Sequence, residues 1–204
     1  MEKEGILDKS YLDFSKKSEI AQTILLAMIA FIVPTFLGTI IKTLFGEQSI
    51  ITSNSQIIVG SIVNTLLVIS AINLKGWKKI VAIVTMPSIS AIFGGTVLKT
   101  SAVFAMYMIP AIWIGNFALI FAYKYLYVNK KWNYFVSGII GIVIKVAIIF
   151  LFFSILNLFK VFPEKVIATM QQSMGVTQLI TASIGVIIAF TICKIEEYKM
   201  EKQY

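Results

Sequence analysis

Six long apolar runs, separated by short polar stretches, limit what this chain can become more than any other feature. They fall at residues 20–45, 57–74, 80–98, 102–128, 134–159 and 175–195. A helix needs about 20 apolar residues to cross a hydrocarbon core of roughly 30 Å. Open strands cannot cross, because their edge amides would be unpaired in lipid. None of the runs alternates as a barrel strand would. The expected fold is therefore an all-α membrane protein, a bundle of six transmembrane helices. Charged residues support this, since they make up 14% of the chain where a soluble domain carries about 25%.

The lysines predict an orientation. All 18 basic residues are lysine, with no arginine and no histidine. Thirteen lie on one side of the predicted spans: Lys3, Lys9, Lys16, Lys17, Lys75, Lys78, Lys79, Lys124, Lys130, Lys131, Lys194, Lys199 and Lys202. Four lie on the other, Lys42, Lys99, Lys160 and Lys165, and Lys145 lies inside the fifth run. Positive residues favour the cytoplasm. Both termini are thus expected inside, with the loops at 46–56, 99–101 and 160–174 outside. The same argument accounts for the net charge of +8 without nucleic-acid binding.

The domain reading is a single membrane domain, 20–195, with a cytoplasmic or interfacial segment at 1–19 and a cytoplasmic tail at 196–204. Segment 1–19 mixes lysines with acids, and the apolar run after it is long enough to span, so no cleaved signal peptide is expected. Pro34, Pro87 and Pro110 fall inside spans, where each removes a backbone bond and predicts a kink. Loop 46–56 holds Ile50 and Ile51, which suit an interfacial dip or a lid. The lone Cys193 excludes an internal disulfide and reads as a small apolar residue. The bias toward Lys, Ile, Asn and Tyr suits an AT-rich bacterial genome, hence a bacterial cell membrane.

Several chemistries are absent. Without histidine there is no Ser–His protease and no His-based metal site. No Asp or Glu occurs between Gln48 and Pro163, so the core helices lack the carboxylate that ion-coupled carriers usually place in the membrane. No phosphate-binding Gly-x-x-x-x-Gly-Lys-Ser/Thr loop occurs. The chain is not expected to be an enzyme or to hold a cofactor or metal. ATP hydrolysis, if used, must come from another subunit.

A few polar residues lie within the spans. Lys145 stands eleven residues past Tyr134, about 16 Å along a helix and near mid-bilayer. A lysine there costs about 2.5–3.5 kcal/mol on insertion scales. Helix carbonyls, polar side chains, water or an anionic ligand could offset that cost. Gly138, Gly141 and Lys145 share one helical face, as do Gln178, Thr181, Gly185 and Ala189. For the small residues, helix packing is the reading; Gln178 and Thr181 lie where they could close over a ligand. Trp113, Asn116 and Tyr123 share a broad face of the fourth span. For Asn64 a hydrogen bond to a neighbouring helix outranks ligand contact; for Asn116 the two stand level. Tyr107 and Trp113 could stack on a flat ligand, whereas Trp77 and Trp132 read as interface anchors.

Local patterns resemble a known family. "GSIVNTLLVISAINLKGWKKI" around Asn64, "MPSISAIFG" around Pro87, "IPAIWIGN" ending at Asn116, "GIVIKVAIIF" around Lys145 and "QLITASIGVIIA" from Gln178 occur in one order. Together they are similar to the substrate-binding S-component of energy-coupling factor (ECF) transporters. The resemblance covers roughly 20–195. It implies capture of a vitamin-like micronutrient from outside, docking on a transmembrane coupling subunit with two cytoplasmic ATPases, and toppling to release the substrate. It places Asn116, Lys145, Gln178 and Thr181 in the ligand region, with Trp113 and Asn64 as further candidates. Ala27 and Ala30 are the candidate docking face, although the family's Ala-x-x-x-Ala spacing is not intact. Without histidine the Met-His of the nickel and cobalt members is missing. A stand-alone carrier working as a homo-oligomer and a non-transport membrane scaffold remain alternatives.

Overall fold

The computed structural model describes residues 5–12, 14–94 and 102–202, and every regular element among them is helical. In order these are α1 Lys16–Ile32, α2 Gly38–Phe45, α3 Ile50–Ser53, α4 Ser55–Asn73, α5 Trp77–Gly94, α6 Ala102–Ala122, α7 Tyr134–Leu158, α8 Glu164–Met174 and α9 Val176–Glu201. A π segment, Val33–Leu37, joins α1 to α2, and a second, Tyr123–Asn129, extends α6. Among the described residues, five helices are long and apolar enough to cross a membrane: Lys16–Phe45, Ser55–Asn73, Met106–Asn129, Tyr134–Leu158 and Glu164–Met200. The expected span at 80–98 falls on α5, which packs on α1 and α6 and is not among those five. Its last residues, and the loop at 99–101 with Lys99, lie outside the described residues.

The first span absorbs its proline by a change of helix type. Pro34 cannot donate to the helix ladder, and the backbone widens into the Val33–Leu37 π turn around it. The neighbouring helix supplies a donor there. Ser90 of α5 donates to the Phe31 carbonyl, which also accepts from Thr35, and the Ser90 and Thr35 hydroxyls touch. This is how a spanning helix tolerates proline, by recruiting a hydroxyl from its neighbour. Pro87 and Pro110 lie inside helices that run on through them.

Helices α4 and α9 form the tightest pair and run parallel. Gly60 meets Thr181, Gly185 meets Asn64, and Asn73 donates to Glu196 at 2.7 Å. Helix α6 packs along α7 in the opposite sense, with Gly115 against Ile149, Gly141 against Leu119 and Ala122, and Gly138 against Tyr123. Small residues at these crossings let the backbones approach, the expected device where lipid supplies no hydrophobic drive. The turn between α6 and α7 closes through Lys131 at φ +59°, after which the Asn133 side chain caps α7.

Two segments expected to be irregular are ordered. Within the 160–174 loop, α8 buries Val166, Met170 and Met174 against Met108, Ile149, Phe153 and Phe162. In loop 46–56, Ser49 caps the single turn α3, on which Ile50 and Ile51 are exposed.

The lead-in is folded too. Tyr11 donates from its amide to the Ile72 carbonyl at 2.7 Å, and Gly76 to the Leu7 carbonyl at 2.9 Å. Tyr11 stacks on Tyr127 with ring centroids 4.9 Å apart. Glu19 pairs with Lys79 at 2.8 Å and accepts from the Lys75 amide at 2.5 Å. Lys124, expected in a loop, is instead fully buried (0% exposed). Its ammonium donates to the carbonyls of Lys9 and, at 2.5 Å, Leu74. It ties the lead-in to the α4–α5 turn. Lys124→Met leaves both carbonyls without that donor, and a lost buried partner costs about 1–3 kcal/mol. The expected result is a lower thermal midpoint and faster proteinase K cleavage within 7–15, with Lys130→Met matching wild type. Equal cleavage in both variants would show that Lys124 is no tether.

Candidate functional site

Three of the sequence-predicted residues meet in the middle of the bundle. Lys145 on α7 donates from Nζ to Asn64 Oδ1 on α4 at 2.5 Å. Asn64 Nδ2 donates to Thr181 Oγ1 on α9 at 3.3 Å and to its own Gly60 carbonyl at 2.8 Å. Thr181 donates in turn to the Gln178 carbonyl at 3.2 Å. The side chains of Lys145, Asn64 and Thr181 are 2%, 2% and 1% exposed. The compensation for the mid-helix lysine is therefore an amide oxygen from another helix, one of the partners the sequence left open.

The local sequence explains why these groups can reach one another. Gly60 and Gly185 present bare backbone at the α4–α9 crossing. A Cβ on Gly185 would stand 2.5 Å from Asn64 Cβ and 2.8 Å from the Thr65 nitrogen. One on Gly60 would stand 2.8 Å from Thr181 Cγ2. Thr65 adds a bond across the same crossing, donating to the Gly185 carbonyl at 3.3 Å. On the other flank, a Cβ on Gly115 would meet the Lys145 carbonyl at 3.2 Å. Asn64 thus serves as the helix-to-helix bond expected of it and also holds Lys145.

The other candidates are placed around this network. Asn116, one residue after Gly115, is buried. Trp113, one turn away on α6, is half-buried against the main core. Its indole Nε1 is buried and has no hydrogen-bond partner among the described residues. Gln178 is half-buried and contributes its main-chain carbonyl to the network. Tyr107 is exposed. Ala30 is fully buried in the core and Ala27 packs partly against it. The outward face of α1 carries Ile24, Leu25, Met28 and Ile32 instead.

One turn beyond Lys145, Ile149 joins Phe153, Met108, Met170 and Met174 in the second apolar cluster, under α8. The polar network is thus sealed from that end of the bundle. Chemically, the network holds one ammonium with one short side-chain partner and a threonine hydroxyl whose proton goes to the Gln178 carbonyl.

Sequence reasoning put Gly185 on a helix-packing face but missed Gly60, Gly115 and Thr65 as residues that bring the network together. Their signal is faint, because small residues occur throughout the spans. It also missed Glu19 and Lys124, which look like the solvated charges around them.

No protein-family model, curated protein or solved structure matches the chain.

Proposed function

We propose that the chain is the membrane-embedded substrate-capture subunit of an ECF-type ABC importer. In this reading it crosses a bacterial cytoplasmic membrane six times with both termini inside. It binds a small vitamin-like nutrient from outside and passes it to a coupling subunit driven by two ATPases. The observation that carries the reading is the buried Lys145–Asn64–Thr181 network. A lone intramembrane charge is by default functional, and this one has only a neutral amide as its side-chain partner among the described residues. The ligand then bears an anionic group that competes with Asn64 for the Lys145 ammonium. The absence of Asp and Glu between Gln48 and Pro163 argues against a self-energised carrier, and the ordered local patterns add the family resemblance. Ligand enters by displacement of α8, whose buried methionines cover the network from the outer end. With Ala30 buried in the core, the coupling subunit docks on the outward face of α1, where Ile24, Leu25, Met28 and Ile32 are exposed.

Mass spectrometry of small molecules retained through purification, followed by liposome uptake, tests this. The expected result is one retained anionic nutrient, taken up only when the coupling subunit, both ATPases and ATP are present. Uptake by the chain alone, indifferent to ATP, would establish a stand-alone carrier instead. A preparation with no retained molecule and no binding of candidate nutrients would leave the scaffold reading.

A further inference from the structure

Away from the central network, a cavity of about 440 Å³ opens at the lysine-rich end of the bundle. Three separate stretches of chain line it: Asp8, Lys9 and Ser10 of the lead-in, Lys75 of the α4–α5 turn, and Val128, Asn129 and Lys131 from the end of α6 and the turn after it. We propose that this cavity binds a phosphate-bearing anion, supplied by the bilayer as the headgroup of an anionic phospholipid. The proposal stands apart from the transport reading and needs only a membrane-embedded chain.

The cavity is built and held. The buried Lys124 ammonium joins the Lys9 carbonyl to the Leu74 carbonyl, so two of the lining stretches keep a fixed spacing. Lys9 Nζ donates to Asn129 Oδ1 at 2.7 Å. That bond turns the Asn129 amide so that its NH₂ group remains a donor. Lys131 lies with its ammonium 5.2 Å from the centre of the Tyr11 ring. Ser10 spends its hydroxyl proton on the Leu12 carbonyl at 2.7 Å, so it adds no donor. The lining thus presents the Lys9 and Lys131 ammonium groups and the Asn129 amide beside the Asp8 carboxylate. Two ammonium groups and an amide suit one phosphate group rather than a polyphosphate.

Position points to a lipid source. Trp77 and Trp132 are exposed at the same end, where such residues mark headgroup depth. Lys78 lies 6.0 Å from the Trp77 ring and Lys130 5.7 Å from the Tyr125 ring. Basic pockets between spanning helices at this level take anionic headgroups.

The test uses the full chain in phosphatidylcholine nanodiscs containing a minor fraction of phosphatidylglycerol, with retained lipids counted by native mass spectrometry. Wild type is expected to keep phosphatidylglycerol in preference to phosphatidylcholine. Lys9→Gln with Lys131→Gln is expected to lower that retention about ten-fold or more, given the attraction of each lysine for an anionic surface. Lys160→Gln with Lys165→Gln, which removes equal charge from the other end, is expected to change it less than about two-fold, as distant surface charges are screened. Lys9→Arg with Lys131→Arg is expected to retain the lipid. If the paired glutamine variant unfolds, Lys131→Gln alone keeps the Lys9–Asn129 bond and gives the same ordering at smaller size. Inorganic phosphate that fails to displace the lipid supports the headgroup as source. Displacement at millimolar phosphate keeps the phosphate site but assigns it to the free ion. Equal loss from both lysine pairs, or no preference for phosphatidylglycerol in wild type, overturns the proposal.

Discussion

Lys145→Met is expected to abolish retention of the co-purifying nutrient while leaving the fold at least as stable as wild type. The two effects separate because the lysine serves ligand and fold unequally. A hydrogen bond to a charged group is worth about 1.5–3 kcal/mol, so losing it weakens binding by about ten- to a hundred-fold. The fold loses a buried ammonium and leaves the Asn64 oxygen without its donor, at a cost of about 1–3 kcal/mol. Methionine fills nearly the same space and removes an insertion cost of about 2.5–3.5 kcal/mol. Asn64→Leu acts in the opposite direction. It leaves the ammonium buried without its acceptor, and breaking a buried charged interaction from one side costs about 3–5 kcal/mol. The double variant, Lys145→Met with Asn64→Leu, is expected to recover most of that stability, since neither polar partner is then stranded. Thermal unfolding of the three variants in one detergent, beside mass spectrometry of retained ligand, reads both quantities. Equal destabilisation by Lys145→Met and Asn64→Leu would make Lys145 a structural residue and remove the main support for ligand binding.

The contrast between Lys145 and Lys124 shows how far sequence can be read. Lys145 is conspicuous because twenty apolar neighbours surround it, so its burial follows from period and depth alone. Lys124 sits near Lys130 and Lys131 at the end of a span and looks like any topology-setting lysine. Only the π segment Tyr123–Asn129 and the folded lead-in reveal that it points inward to two carbonyls. Glu19 was hidden in the same way, because its partners Lys75 and Lys79 lie 56 and 60 positions further on.

Spans were legible for a simple reason. Lipid demands that each backbone amide be satisfied within its own helix, so apolar length maps directly onto helix. That rule recovers α4, α7 and α9 closely. It does not reach α8, an amphipathic helix that packs Val166, Met170 and Met174 on Met108, Ile149 and Phe153. The partner of Lys145 was illegible for a different reason. Asn64 lies 81 positions away, and nothing in a single sequence ties two interior polar residues together. Once α4, α7 and α9 are packed, the pairing follows from small residues at the crossings. Lys9, Lys75 and Lys131, far apart in the chain, line one cavity at one end of the bundle.

Those crossings give the second large effect. Gly185→Ala is expected to destabilise the bundle and to empty the ligand site together. In an open helix the change would be favourable, since glycine costs about 1 kcal/mol relative to alanine. Here the added Cβ meets Asn64 Cβ at 2.5 Å, and the Thr65 nitrogen and Asn64 carbonyl carbon at 2.8 and 2.9 Å. These atoms belong to the α4 backbone or are bonded directly to it, so no rotamer change relieves the clash. The helices must move apart, at an overpacking cost of about 1–3 kcal/mol or more. Separation also stretches the Thr65 bond to the Gly185 carbonyl and the Asn64 bond to Thr181, which loosens the hold on Lys145. Gly60→Ala is the informative comparison. Its nearest neighbours are Thr181 side-chain atoms, and Thr181 can rotate at the expense of its bond to Asn64. It should therefore disturb ligand retention with a smaller drop in thermal midpoint than Gly185→Ala. A Gly185→Ala protein as stable as wild type, with ligand bound, would mean that α4 and α9 do not cross as closely as this, and the central network would lose its frame.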